Sequence, residues 1–356
     1  DVRVQHALEY ELNAAMEKFS AIGAAGIVLD VQTGELLAMT SLPAFDPNAV
    51  SRSPSETWFN RATQGVYEQG STFKIFSTAM ALEEGTVTLG TTYDISEPLA
   101  VGRFRIRDYR LNFKELTVAG IFMHSSNIGT ALMALDMGTE TQQAYMRKLG
   151  LLEPAQIELK ESGAPLLPNP WSKVSTMTIS YGHGIAVTSL HMATGVASVV
   201  NGGMWRPATL MKIPPGTERS TGERIFSEKT SQAMRELMRL VVVNGTGRQA
   251  DAPGYRIGGK TGTAEKPGVG GYQRKSLITT FAGAFPMDDP KYVVMATLDE
   301  PKGIKETHGF ATAGWNAAPV TRAVVQRVGP ILGVEPNVNR DVDLSQMQRY
   351  IAEKQT

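Results

Sequence analysis

Three short strings, spread along the chain in a fixed order, constrain it more than any other feature. They are Ser71-Thr72-Phe73-Lys74, Ser125-Ser126-Asn127 and Lys260-Thr261-Gly262-Thr263, and each pattern occurs once in 356 residues. Each is weak alone, since Ser71 reads equally well as a helix N-cap and Lys74 as a solvated lysine. Together they supply a serine nucleophile, an amine to deprotonate it, a hydroxyl and an amide to relay and orient, and a cationic strand for a carboxylate. That is the equipment of an active-site-serine acyl transferase acting on an amide. The fold must therefore converge three distant segments on one hydroxyl.

The spacing gives each residue a role. Positions 71 and 74 are one helical turn apart and share a face. A serine at a helix N-terminus meets free N–H groups and the positive end of the dipole. Lys74 can take a proton only as a neutral amine, and a second cation nearby, Lys260, lowers its pKa. The Ser125 hydroxyl can pass a proton between Lys74 and a leaving amine, and the Asn127 amide can fix Lys74 and a substrate amide at once. Lys260, with the hydroxyls of Thr261 and Thr263, is placed to hold a terminal carboxylate. Gly262 is read as keeping the passage beside the reacting carbonyl open. An extended substrate can pair with this strand's edge. The backbone N–H groups of Ser71 and Thr263 are the candidate oxyanion hole, where one donor is worth about 3–4 kcal/mol of barrier.

Composition excludes several alternatives. Lys+Arg and Asp+Glu both number 35, so net charge is zero and no nucleic-acid footprint is visible. The chain has no cysteine, which removes thiol catalysis, cysteine-ligated zinc and disulfides. His6, His124, His191 and His308 show no metal-ligand spacing, and no metal or cofactor is expected. No apolar run approaches the ~20 residues that span a bilayer. The chain opens at Asp1 into an amphipathic helix pattern (Val4, Leu8, Leu12, Ala15, Phe19), which reads as a piece of a longer protein whose anchor lies upstream.

Local patterns predict a strand hairpin over Ala25–Ser41, a loop over Ser41–Pro54 and a helix over Ser71–Glu84 stopped by Gly85. Thr86–Asn112 reads as irregular, with Arg103, Arg105, Arg107 and Arg110 on a solvated face. Thr117–Met137 is helical but broken at Ser125-Ser126-Asn127, whose small polar residues favour a cap or turn. Helices follow over Thr139–Leu149, Ser189–Val200, Ser227–Val243 and Ala313–Leu332. Strands are expected over Tyr255–Ala264, Leu277–Phe285 and Tyr292–Leu298, with glycine-rich Glu265–Lys275 as a mobile connection. The sum is an α/β chain of the α+β type, its sheet drawn from both ends and a mostly helical subdomain, about 85–225, inserted between them. Residues 1–334 form the domain and 335–356 a C-terminal tail.

At this point the chain resembles the transpeptidase domain of class B penicillin-binding proteins. Beyond the three strings, the resemblance is carried by Asp30–Ser41, Asn60–Lys74, Thr280–Pro286 and Thr297–Pro301. The stretches Pro98–Tyr109 and Ala313–Val320 look more like the septal (cell-division) type than the elongation type. The resemblance implies a penicillin-binding/serine β-lactamase-like fold: an antiparallel sheet of about five strands flanked by helices. It implies peptidoglycan D,D-transpeptidation, with Ser71 attacking the penultimate D-Ala of a stem peptide, release of terminal D-Ala, and aminolysis by a neighbouring stem peptide. It also implies covalent capture by β-lactams, division-complex membrane proteins as partners, and a periplasmic position at the inner membrane through an N-terminal anchor outside this chain.

Two departures stand out. Gln69 replaces the family's usual proline, which is expected to loosen the approach to the nucleophile helix. His183 stands where glutamine is common, and is read as a satisfied structural histidine rather than a proton-transfer group. Three other readings keep the same strings: a D,D-carboxypeptidase, a penicillin-sensing domain without turnover, and a serine β-lactamase. The last lacks support here, because the second string has Ser126 in its middle and no Glu-x-x-x-Asn lies between residues 128 and 259.

Overall fold

The structure is a computed structural model, and it describes all residues except 103, 110–112, 215–221, 269 and 352–356. Asp1 caps the first helix, α1 (Val2–Phe19), by accepting from the Arg3 N–H. The stripe Val4, Leu8, Leu12, Ala15 and Phe19 is buried, as its three- and four-residue spacing requires. Strands β1 (Gly23–Asp30) and β2 (Leu36–Leu42) form the expected hairpin.

The first string begins in a single 3-10 turn, Gly70–Phe73, that runs into α2 (Lys74–Glu83). Gly85, at φ 67°, follows the helix end. The region read as irregular contains four short strands: β3 (Thr92–Asp94), β4 (Leu99–Val101), β5 (Phe104–Ile106) and β6 (Glu115–Thr117). They pair as β3–β6 and β4–β5 over a small core of Ile95, Val101, Ile106 and Leu116. Three-residue strands carry too little alternation to be read locally. Arg105 and Arg107 are exposed, whereas Arg103 and Arg110 lie outside the described residues.

The helical part contains α3 (Val118–His124), α4 (Asn127–Met137), α5 (Thr139–Lys148), α6 (Lys173–Ser180) and α7 (Ser189–Val200). A two-residue pair, β7 (Met204–Trp205) and β8 (Glu223–Arg224), precedes α8 (Glu228–Val243). The sheet is completed by β9 (Gly258–Gly268), β10 (Gly271–Phe285) and β11 (Tyr292–Asp299), and α9 (Ala317–Ile331) and α10 (Ser345–Ile351) end the chain.

The five-stranded sheet is antiparallel, in the order β2-β1-β11-β10-β9. Both faces are covered, so strand residues divide between two cores with period two. On one face Ala24, Val28, Phe281, Phe285, Val294, Ala296 and Leu298 pack with α1 and α9. On the other Ala25, Ile27, Leu29, Ala282, Val293 and Met295 pack with α2, α7 and α8. A Cβ at Gly26 would sit 2.5 Å from Leu12 Cδ1, so α1 lies close against the sheet.

One expectation changes. Glu265–Lys275 is not a loop: β9 and β10 run on as a hairpin arm with Tyr272 opposite Pro267 and Gln273 opposite Lys266. The glycines make its turn, with Gly270 and Gly271 at φ 87° and 127°, conformations open to them without a Cβ. Within the stretch read as a tail, Asp341 and Met347 pack against the rest of the domain. Buried Arg239 on α8 binds Asp341 at 2.8 and 2.5 Å and Asp251 at 2.8 Å, and Met347 is fully buried.

Leu12→Ala removes a fully buried side chain from the core between α1 and the sheet. The expected cost is about 2–5 kcal/mol in equilibrium urea unfolding. An unchanged midpoint would detach α1 from the cooperative unit.

Candidate active site

The turn that carries Ser71 is held from three sides. Gly70 adopts φ 54°, and its N–H donates to the Gly182 carbonyl at 3.2 Å. The Thr72 hydroxyl donates to the Gln69 carbonyl at 2.8 Å. Gln69 does not loosen this approach. Its side chain is buried, its amide N–H donates to the Val187 carbonyl at 3.2 Å, and its amide oxygen accepts from the Thr280 hydroxyl at 3.3 Å. The amide ties the turn to the helical part and to β10 together.

The second string sits where α3 ends and α4 begins. Ser125 terminates α3 in the left-handed region, at φ 66°, and Ser126 caps α4 by accepting from the Gly129 N–H. The break turns the Ser125 hydroxyl and the Asn127 amide toward the nucleophile. Lys74 Nζ lies 3.1 Å from Ser71 Oγ, 3.1 Å from Ser125 Oγ, 2.6 Å from the Ser125 carbonyl and 2.8 Å from Asn127 Oδ1.

The third string arrives on β9. Lys260 Nζ donates to Ser125 Oγ at 2.9 Å, so this hydroxyl bridges two amines. Both lysines are fully buried. Burial, and then the neighbouring Lys260, holds the Lys74 amine well below the usual lysine range, while Asp108 pulls the other way. Burial pushes Lys260 down to about 7. With Lys74 neutral, its lone pair is available to the Ser71 hydroxyl, which becomes the donor in that contact.

Ser71 opens into a cavity of about 270 Å3 whose walls include Asn127, Tyr181, His183, Thr263 and Glu265. Lys260 and Thr261 are not in its walls. The Thr261 hydroxyl is 2.7 Å from that of Thr246, and the Thr263 hydroxyl accepts from the Ala313 N–H at 3.1 Å. Of the three side chains expected to hold a carboxylate, Thr263 alone lines the cavity, and Lys260 stands behind Ser125. Gly262 also has a packing task. A Cβ there would meet the Gln69 carbonyl oxygen at 2.3 Å and Thr72 Cγ2 at 2.9 Å, so glycine is what lets β9 press against the nucleophile turn.

Sequence reasoning missed Asp108. Its carboxylate accepts from the Ser126 hydroxyl at 2.5 Å, from the Ile128 N–H at 3.1 Å and from the Asn127 N–H. A carboxylate at the first turn of α4 satisfies orphan N–H groups and complements the helix dipole. Arg107 adds its carbonyl, which accepts from Asn127 Nδ2 at 3.1 Å. The only local signal was the placement of Asp108 among exposed arginines. His183 is partnered, with Nδ1 3.0 Å from Glu68 Oε2 and its ring 4.4 Å from that of Tyr272, yet it also forms cavity wall.

Comparison with known proteins agrees with this geometry. The family described as "Penicillin binding protein transpeptidase domain" matches residues 24–326. "Probable peptidoglycan D,D-transpeptidase FtsI" of Caulobacter vibrioides is 43% identical over 344 residues, covering 94% of this chain and 58% of the relative. "Peptidoglycan D,D-transpeptidase FtsI" of Escherichia coli is 31% identical, covering 95% and 56%. "Stage V sporulation protein D" of Bacillus subtilis is 33% identical, covering 96% and 54%. The chain thus spans just over half the length of these relatives. The apo transpeptidase domain of Burkholderia pseudomallei penicillin-binding protein 3 superposes with TM-score 0.83 at 32% identity, covering 95% of this chain and 96% of that one. With the convergence of its three strings, this chain belongs to the penicillin-binding protein transpeptidase domain family.

Proposed function

We propose that this chain is the catalytic domain of a peptidoglycan D,D-transpeptidase of the septal type, and that it forms a serine acyl-enzyme on stem peptides ending in D-Ala-D-Ala. One observation carries the reading: a buried lysine amine in simultaneous contact with Ser71 Oγ, Ser125 Oγ and Asn127 Oδ1. Neutral Lys74 takes the Ser71 proton as Oγ attacks the penultimate D-Ala carbonyl. The Ser71 and Thr263 N–H groups receive the oxyanion. Ser125 relays the proton to the departing D-Ala amine, and Asn127 orients the substrate amide. The amine of a second stem peptide then attacks the ester, its proton returning through Ser125 and Lys74 to Ser71 Oγ. Lys260, Thr261, Gly262 and Thr263 form the carboxylate end of the site, with Lys260 acting through its charge behind Ser125.

A β-lactam offers a strained amide and a carboxylate to the same groups and leaves a stable ester. Two relatives are named peptidoglycan D,D-transpeptidases, which supports the reaction, and the septal reading carries with it membrane-bound division proteins as partners. The catalytic unit is residues 1–334, with its helical part at about 85–225 and 335–356 as a tail. It works on the periplasmic face of the inner membrane, held by an anchor in the remainder of a longer protein.

Brief exposure to benzylpenicillin should add one drug mass at Ser71, read by intact mass and peptide mapping. Ser71→Ala should abolish the adduct with circular dichroism unchanged, and an adduct at another residue would refute the assignment. Rapid loss of the wild-type adduct with hydrolysed drug would favour a β-lactamase. Lys74→Ala should slow acylation by about 10²–10⁴, the usual range for a general base; near-native labelling would remove it from that role.

The acylation rate should rise with pH as Lys74 loses its proton at its depressed pKa. Removing a neighbouring anion disfavours the ammonium further, so Asp108→Asn should move this rising limb to lower pH. A limb that stays in place would leave Asp108 a cap alone. Lys260 loses its charge above about pH 7. A penicillin bearing its free carboxylate should therefore show a falling limb there that its methyl ester lacks. Parallel profiles for the two compounds would separate Lys260 from carboxylate recognition.

A further inference from the structure

Most side chains after residue 334 point to solvent, and the few that turn inward fall into two groups. The first group meets the foot of β9. The Asn337 N–H donates to the Gly254 carbonyl at 3.0 Å. Arg340 pairs with Asp288, whose other carboxylate oxygen accepts from Arg256 Nε at 2.6 Å. Asp341 accepts from Nε and Nη2 of buried Arg239, and Nη1 of that guanidinium donates to the Ile257 carbonyl at 2.9 Å, one residue before β9 begins.

The second group meets α3, against which α10 lies. Met347 is fully buried, in the same core as Val118, Phe122 and Met123 of α3. The Thr117 hydroxyl caps α3 by accepting from the Gly120 N–H, and it donates to the Tyr350 carbonyl at 2.7 Å. A Cβ on Gly90 would sit 2.9 Å from the Tyr350 ring, so that ring is seated on the connection leading to β3.

The two anchored elements meet again at the site. Ser125 ends α3, Lys260 is the third residue of β9, and Lys260 Nζ donates to Ser125 Oγ at 2.9 Å across 135 positions of sequence. Lys74 Nζ depends on the same serine, at 2.6 Å from its carbonyl and 3.1 Å from its hydroxyl.

We infer that residues 335–351 are a positioning strap: by fastening α3 to the foot of β9 they set the separation of Ser125 and Lys260, and with it the surroundings of Lys74. The inference rests on the acyl-enzyme reading above and gives the tail outside residues 1–334 a part in it. Asp341 and Met347 touch no reacting atom and act through the elements they hold. A helix as short as α10 is not stable alone in water, so its order comes from this docking. A strap that only stabilised the fold would change how much protein is folded, whereas this one also changes the chemistry of the folded fraction.

Met347→Ala opens a void beneath α3, and Met347→Leu refills it. Acylation of Ser71 by benzylpenicillin is followed by intact mass on samples shown to be folded by circular dichroism. Met347→Ala should be slower by roughly tenfold to a hundredfold, the scale for a misplacement of about 1 Å caused far from the chemistry. Met347→Leu should restore most of the rate. Of the two charged side chains that act on Lys74, Lys260 and Asp108, only Lys260 lies on an element that the strap holds. A looser strap lets that cation stand farther off, so the rising limb of rate against pH should move to higher pH in Met347→Ala. Leu12→Ala, in the core on the other face of the sheet, should leave both the rate and the limb unchanged. Asp341→Asn loosens the opposite end of the strap at a part-exposed position where Arg239 keeps Asp251, so the chain stays folded, and the same slowing and shift are expected. An unaltered rate and limb in Asp341→Asn would overturn the strap, whether or not Met347→Ala folds. So would equal slowing in Met347→Ala and Leu12→Ala with no movement of the limb. Absence of any adduct on the unaltered chain would instead bring down the acyl-enzyme reading, and the strap's part in it.

Discussion

The site depends on two buried amines meeting at one hydroxyl. Removing an ammonium from water costs several kcal/mol even after relaxation, and a second cation beside it adds to the cost. Lys74 and Lys260 are both fully buried and both reach Ser125 Oγ. Burial and the neighbouring Lys260 hold Lys74 well below the usual lysine range, and burial brings Lys260 to about 7. The same arrangement that disfavours an ammonium favours a neutral amine within hydrogen-bond distance of the Ser71 hydroxyl.

Each participant comes from a different layer. Ser71 and Lys74 belong to the turn and helix under the sheet, Ser125 and Asn127 to a break between two helices of the inserted part, and Lys260 to the edge strand. None of these elements holds the site alone, so the contacts that fasten them are part of the chemistry. Gln69 spans from Val187 to Thr280, and Asp108 fixes the first turn of α4. Both act through the placement of other groups.

Much of this was legible in the amino-acid order, for reasons that are local. The spacing of Ser71 and Lys74 is a property of one helical turn, the polar break at Ser125-Ser126-Asn127 announces a cap, and β1, β11 and the second half of β10 are mostly apolar because both sheet faces are covered there. What stayed hidden depends on distant partners. Asp108 gains its meaning from α4, Glu68 from Tyr272 some 200 positions later. The glycines near position 270 read as slack because glycine serves loops and tight hairpins alike. The close packing at Gly262 stayed hidden because nothing in a strand's own sequence says that another backbone lies across it.

Three glycines, at 70, 182 and 262, come from separate parts of the chain and meet around the nucleophile turn. A methyl group on Gly70 would strike the Thr263 carbonyl, one on Gly182 the Gly70 carbonyl, and one on Gly262 the Gln69 carbonyl. Each obstacle is main chain, which cannot swing aside as a side-chain tip can. The floor of the cleft is thereby closed to gradual variation, because any enlargement there pushes apart the strands of polypeptide that give Ser71 its position. Latitude for evolutionary remodelling is left to the walls, where Tyr181, His183 and Glu265 stand, and lineages under selection to admit one acylating compound and refuse another have that perimeter to work with.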